Sequence, residues 1–149
     1  MEEITNEVIE MKIGRAFLFR CPEDSELPKF VEEFAREKGI ETGIVNAIGT
    51  LKEAKLGYFN TDAGRYEEIK VEGTKELLSA MGNISLKDSQ PFAHIHAVLG
   101  NENGKTVGGH LIWGKVLVGE IFILELMGER LERKKEGSLY LWPPSIPIH

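Results

Sequence analysis

Three of the chain's four histidines sit close together, in Phe92-Ala93-His94-Ile95-His96-Ala97-Val98-Leu99 and in Lys105-Thr106-Val107-Gly108-Gly109-His110. Neutral imidazole is a common ligand for zinc and related metals, and three protein ligands with one open position is the usual catalytic zinc arrangement. On a strand, His94 and His96 project from the same face, about 6–7 Å apart. Gly100-Asn101-Glu102-Asn103-Gly104 has the chemistry of a turn that sends the chain back. The returning strand then sets His110 opposite Ile95 or His96, depending on whether a glycine bulge at Gly108-Gly109 shifts the register. The three imidazoles would thus converge on a divalent metal, with zinc the expected ion. The plainer alternative is histidines on a half-buried strand that hydrogen-bond to one another or to neighbours.

A carboxylate could complete such a site. Val116 to Leu126 reads as a strongly apolar strand carrying one conspicuous acid, Glu120, on the face of Val116, Val118, Phe122 and Leu124. Glu120 there would hydrogen-bond a ligating histidine, bind the metal itself or act as a general base. An ion pair with Arg20 or a lysine satisfies it equally well. Two other motifs lead less far. Gly100 to Thr106 imitates a phosphate-binding loop but is one residue short, and it lies between strands instead of opening a helix. Cys21, just before a helix, has a nucleophile's position, yet nothing local marks a base, and a lone thiol is usually a packing residue.

The elements that must position these residues are mostly strands. Val8 to Arg20 reads as a strand or strand pair with a possible bulge at Gly14. The clearest helix covers about residues 25–38, with Asp24 or Ser25 as cap, Pro28 in the first turn, and Leu27, Phe30, Val31, Phe34 and Ala35 as its apolar stripe. Gly39 is its expected stop. Thr42–Leu51, Ala54–Asn60 and Arg65–Glu72 read as strands, and Lys75–Leu86 as a mostly extended segment after one helical turn. Trp113-Gly114-Lys115 interrupts the pattern after His110. Arg130 to Glu136 is a mixed-charge run expected to be solvated. The stretch from Gly137 to His149, interrupted by Pro143, Pro144 and Pro147, is too broken for a helix and apolar enough to dock on the domain or on a neighbouring subunit. His149 lies too far along this tail to join the metal question.

With 149 residues and 42% hydrophobic content, one α+β domain is expected: a largely antiparallel sheet, one main amphipathic helix, a core of about 12–126 and a tail of 127–149. The formal charge of −6 argues against coating nucleic acid through bulk electrostatics. A single cysteine excludes an intramolecular disulfide framework. The acidic N-terminal residues and the lack of a long apolar run fit a cytoplasmic protein without a membrane partner.

His94-Ile95-His96-Ala97, Gly108-Gly109-His110-Leu111 and Glu120 together resemble the plant and prokaryote conserved (PPC) domain, also called the PD1-like DNA-binding domain. Phe17-Leu18-Phe19-Arg20, Asn46-Ala47-Ile48-Gly49-Thr50, Leu56-Gly57-Tyr58-Phe59 and Gly82-Asn83-Ile84-Ser85-Leu86 support the likeness, which covers roughly Lys12 to Leu126. The resemblance implies an antiparallel α+β fold, a homotrimer and, in the stand-alone prokaryotic branch, a metal site at His94, His96 and His110 with Glu120 nearby. Plant members carry an AT-hook for the DNA minor groove, whereas this chain has the histidines and no Arg-Gly-Arg-Pro hook. Three functions follow: a trimeric metal-binding domain, a DNA-associated regulatory module, and a metal-dependent enzyme or small-ligand protein acting at the histidines. A cupin-like enzyme is disfavoured, because the glutamate expected a few residues after His-x-His is missing.

Overall fold

β-branched and aromatic residues at alternating positions make this chain a strand former, and in the computed structural model, which describes residues 8–142, strands dominate. In chain order the elements are β1 (Lys12–Cys21), β2 (Glu26–Leu27), α1 (Lys29–Lys38), β3 (Gly43–Asn60), β4 (Arg65–Val71), β5 (Lys75–Lys87), β6 (Gln90–Gly100), β7 (Thr106–Met127), β8 (Lys134–Glu136) and β9 (Leu139–Leu141). Among the described residues, the antiparallel sheet and the single helix are as expected. One ten-residue helix against so much strand makes this a β-dominated domain, to which the α+β description applies only in part.

β3 pairs with both β5 and β7, and β6 bridges β5 to β7, so β7, β6, β5 and β3 close into a ring. β1 adds to the far end of β7, and β4 adds to the far end of β3. Closure leaves few open edges and turns one face of each ring strand inward. Leu51, Leu56, Leu77, Ile84, Ile95, Leu99, Leu111, Val116 and Ile123 fill that interior, each almost completely buried. Burying each such side chain contributes about 1.5–3 kcal/mol relative to exposure.

The helix starts later than its apolar stripe suggests. Glu26 and Leu27 pair with Lys115 and Gly114 of β7 as β2, which leaves Pro28 at the helix N-terminus without a side-chain cap. Ser25 Oγ donates to the Pro22 carbonyl, and Asp24 pairs with Lys52, so neither expected cap residue caps. Gly39 ends the helix in the left-handed conformation at φ 70°, as expected. Val31 and Ala35 seal the ring, while Phe30 and Phe34 meet Phe17 and Phe19 of β1, with Phe19 stacked on Phe34 at 4.4 Å.

Several other expectations change. Thr42–Leu51 and Ala54–Asn60 are parts of one strand, β3; Trp113-Gly114-Lys115 lies within continuous β7; and Lys75–Leu86 has no helical turn. A register shift between Ile13 and Ala16 confirms the irregularity read at Gly14. The decisive irregularity falls on β7. Thr50 pairs with Val118 and the next residue, Leu51, with Val116, so Leu117 is an extra residue. Beyond it the inward residues are Gly119, Ile121, Ile123 and Glu125, while Val118 and Glu120 face outward.

Candidate metal centre

Alternation on β6 sends Ala93, Ile95, Ala97 and Leu99 into the core and leaves His94 and His96 on the outer face. The turn after Gly100 is fixed by Asn101, whose Oδ1 accepts from the amides of Asn103 and Lys105, and by Gly104 at φ 76°. It brings His110 directly opposite His96, one of the two registers the sequence allowed. Ring centroids are 4.9 Å apart for His94 and His96, 5.2 Å for His94 and His110, and 5.8 Å for His96 and His110.

One nitrogen from each ring lies within 4.8 Å of the others, and the His94 and His96 Nε2 atoms are 3.1 Å apart. Zinc–nitrogen bonds of about 2.0–2.1 Å in a tetrahedron place ligand nitrogens about 3.3 Å from one another. The three donors therefore need only small side-chain rotations to fit. Burial, with the charges of Arg133, His110 and His96, lowers the His94 pKa to about 4. Burial and His96 also lower that of His110. Both rings are thereby held neutral near pH 7, the form that offers a lone pair to a metal. Buried His110 Nδ1 has no hydrogen-bond partner. Such a nitrogen is costly to bury unless a ligand satisfies it, and this favours occupancy by an ion.

Two glycines make the cluster possible. Gly57 of β3 lies opposite His110, where a Cβ would press on Ile112 and on Tyr66, whose ring packs 5.2 Å from that of His110. On β5, Gly82 lets the strand run directly against the His94 carbonyl.

Beside His94 and His110 opens a cavity of about 360 Å³, also lined by Lys87, Phe92, Arg133 and Tyr140. The segment expected to be a solvated charge run supplies one of its walls. Arg133 is only 7% exposed, with Nε donating to Ser85 Oγ at 2.8 Å, Nη2 to Asn83 Oδ1 at 2.7 Å and Nη1 to the Tyr140 carbonyl at 3.1 Å. Its guanidinium lies over Phe92 and Trp142, and Lys87 Nζ sits 4.0 Å from the Tyr140 ring centroid. Sequence reasoning missed Arg133, Lys87 and Tyr140. The one available signal was alternation around Gly137-Ser138, which marks the β8–β9 hairpin. The expected docking of the tail on the domain holds as far as Trp142, whose Nε1 donates to Ser85 Oγ. Pro143, Pro144, Pro147 and His149 lie outside the described residues.

Glu120 does not join the histidines within the chain. Ten residues, or about 30 Å of strand, separate it from His110, and it is exposed between Arg20 of β1 and Ile48 of β3. The bulge at Leu117 turns the face of Val118, Glu120 and Phe122 away from the core, but the distance along β7 is what keeps Glu120 from the histidines, which also lie on the outer face. The buried acid is Glu125 instead, 7% exposed, with Oε2 2.8 Å from Arg15 Nη2 and Oε1 2.9 Å from Arg15 Nε. Cys21 is a packing residue, buried with its thiol pKa pushed up to about 11 by desolvation, too high for a nucleophile near neutral pH. Among the described residues, no helix is long and apolar enough to cross a membrane.

A closed antiparallel ring with three histidines on its outer face defines a small β domain with a candidate metal centre. Residues 8–127 match the Plants and Prokaryotes Conserved (PCC) domain, and the chain belongs to this family. A plant- and prokaryote-conserved (PPC) protein from Pyrococcus horikoshii is similar in structure, with 47% identity and a TM-score of 0.88 over 93% of this chain and 97% of that one. A metal-containing protein from Archaeoglobus fulgidus has 39% identity and a TM-score of 0.86 over 91% of this chain and 98% of that one. A protein from Bacteroides thetaiotaomicron, provisionally named as DNA-binding, shares the fold at 24% identity, with a TM-score of 0.80 over 90% of this chain and 97% of that one. Among curated proteins, 127 residues are 26% identical to the bifunctional protein GlmU of a Synechococcus strain, of whose length the match spans 19%.

Proposed function

We propose that this protein is a PPC-type domain that binds one divalent metal ion, zinc by the character of its donors, through His94, His96 and His110. The carrying observation is the convergence of three imidazole nitrogens within 4.8 Å on one rigid sheet face. Three neutral nitrogen donors suit zinc and similar borderline ions better than calcium or magnesium, which prefer oxygen. A bound ion would supply Lewis acidity beside the cavity. The sheet fixes the directions of the three rings, and Arg133 and Lys87 set the polarity next to them. The metal-containing name of the Archaeoglobus relative agrees with this reading.

Protein purified without a histidine tag, stripped with chelator and reloaded, should hold one zinc per chain by elemental analysis. His94→Ala and His110→Ala should each lose it. Zinc content equal to the parent's in both variants would show the reading to be wrong.

The domain acts, in this reading, as a homotrimer. The outer face of β1, β7 and β3 is apolar, with Leu18 79%, Ile48 51% and Val118 41% exposed, and a second copy of the chain is its occupant. Arg20 and Glu120 lie on the same face and offer opposite charges to a rotated copy. A DNA-associated role rests on the family's name and on the Bacteroides relative. A gel shift with duplex DNA that weakens as salt rises would establish it beside metal binding; no shift at low salt would remove it.

A further inference from the structure

The chain carries a formal charge of −6, yet the cavity beside the histidines is lined by two cations, Arg133 and Lys87, and by no aspartate or glutamate. Arg133 is buried and forms no ion pair among the described residues. Burying a guanidinium is costly when no anion answers its charge. Of its five N–H donors, three are held by Ser85, Asn83 and Tyr140, so two remain for a ligand. Those three bonds and the rings of Phe92 and Trp142 hold the guanidinium in place, which lowers the entropy cost of binding.

We propose that this cavity binds a small organic acid, its carboxylate held by Arg133 and Lys87 and its carbon skeleton packed against Phe92 and Tyr140, next to the metal held by the histidines. The inference extends the metal reading by naming the class of ligand at that site. Two free N–H donors on a planar guanidinium match the two oxygens of a planar carboxylate. A tetrahedral phosphate is usually cradled by several backbone amides at a helix N-terminus, and the only helix among the described residues, Lys29–Lys38, contributes no residue to the lining. The volume of about 360 Å³ lies within the range of small-molecule sites.

Trp142 provides the readout, since its ring centroid is 5.2 Å from the Arg133 guanidinium carbon. Trp113→Phe removes the only other tryptophan, whose Nε1 donates to Glu26. In this background propionate should change the fluorescence saturably, in metal-free or zinc-loaded protein, and the neutral isostere propionamide should not. Arg133→Gln should raise the propionate midpoint at least tenfold, with partial rescue by Arg133→Lys. If circular dichroism shows the Gln variant unfolded, Lys87→Gln decides, with a midpoint at least threefold higher. The proposal is overturned by no saturable response to propionate in either form, by an equal response to propionamide, or by tighter binding of inorganic phosphate. Zinc uptake without a propionate response would refute only this inference. Propionate binding by a chain that takes up no zinc would refute only the metal reading.

Discussion

Gly82 of β5 runs so close to His94 of β6 that a Cβ on Gly82 would collide with the His94 carbonyl oxygen. The first histidine of the cluster is therefore placed by backbone packing as well as by its own strand. Gly82→Ala must push β5 and β6 apart at this point. We expect a loss of about 1–3 kcal/mol in denaturant unfolding, in the range for overpacked interiors, together with weaker zinc binding. Gly64→Ala is the control for stability alone. It lies in the β3–β4 turn, where a Cβ meets nothing within 4 Å, so its cost comes only from φ 64° and zinc binding stays unchanged.

Metal removal should destabilise the fold. An ion held by the proposed ligands would tie two strands together, and an ion that binds only the folded state adds stability by mass action, about 2.7 kcal/mol at a concentration one hundred times the dissociation constant. Thermal unfolding with excess zinc and with chelator should therefore differ by several degrees in the parent. The difference should vanish in the His94→Ala, His96→Ala double variant.

The Arg15–Glu125 pair predicts acid sensitivity. Hydrogen bonds from the Arg15 side chain hold the Glu125 carboxyl below its ordinary 4.5. Because the folded-state value lies below the unfolded one, the stabilisation is complete above about pH 4.5 and is lost as pH falls through the lowered folded value. The urea midpoint should decline from pH 5 to pH 3. Glu125→Gln should be less stable than the parent at pH 7 and should show a shallower decline on acidification.

The apolar outer face predicts its own disruption. Leu18→Glu or Ile48→Glu places a charge where a second copy is expected to pack, and should convert the proposed trimer to monomer in light scattering while leaving circular dichroism unchanged. Both side chains are exposed in the single chain, so neither substitution touches its core. A monomeric parent would remove the assembly reading.

The histidine pair, the turn and the returning third histidine are local features, and the sequence determined them: alternation fixes the facing of His94 and His96, and Asn101 and Gly104 fix the turn between β6 and β7. The apolar stripe and Gly39 likewise placed the helix and its end. Its start was hidden because Glu26 and Leu27 are claimed by β7, a long-range pairing that no local preference reveals. Glu120 was misplaced for a related reason. Both faces of β7 are apolar, one for the core and one for the outer surface, so hydrophobicity could not tell them apart, and the extra residue at Leu117 reversed their phase. Arg133 looked like one more surface charge until the fold laid Phe92, Ser85 and Tyr140 around it. Short-range spacing carries the identity of the candidate metal donors; ring closure, through contacts between residues dozens of positions apart, decided which acid is buried and which cation stands beside the histidines.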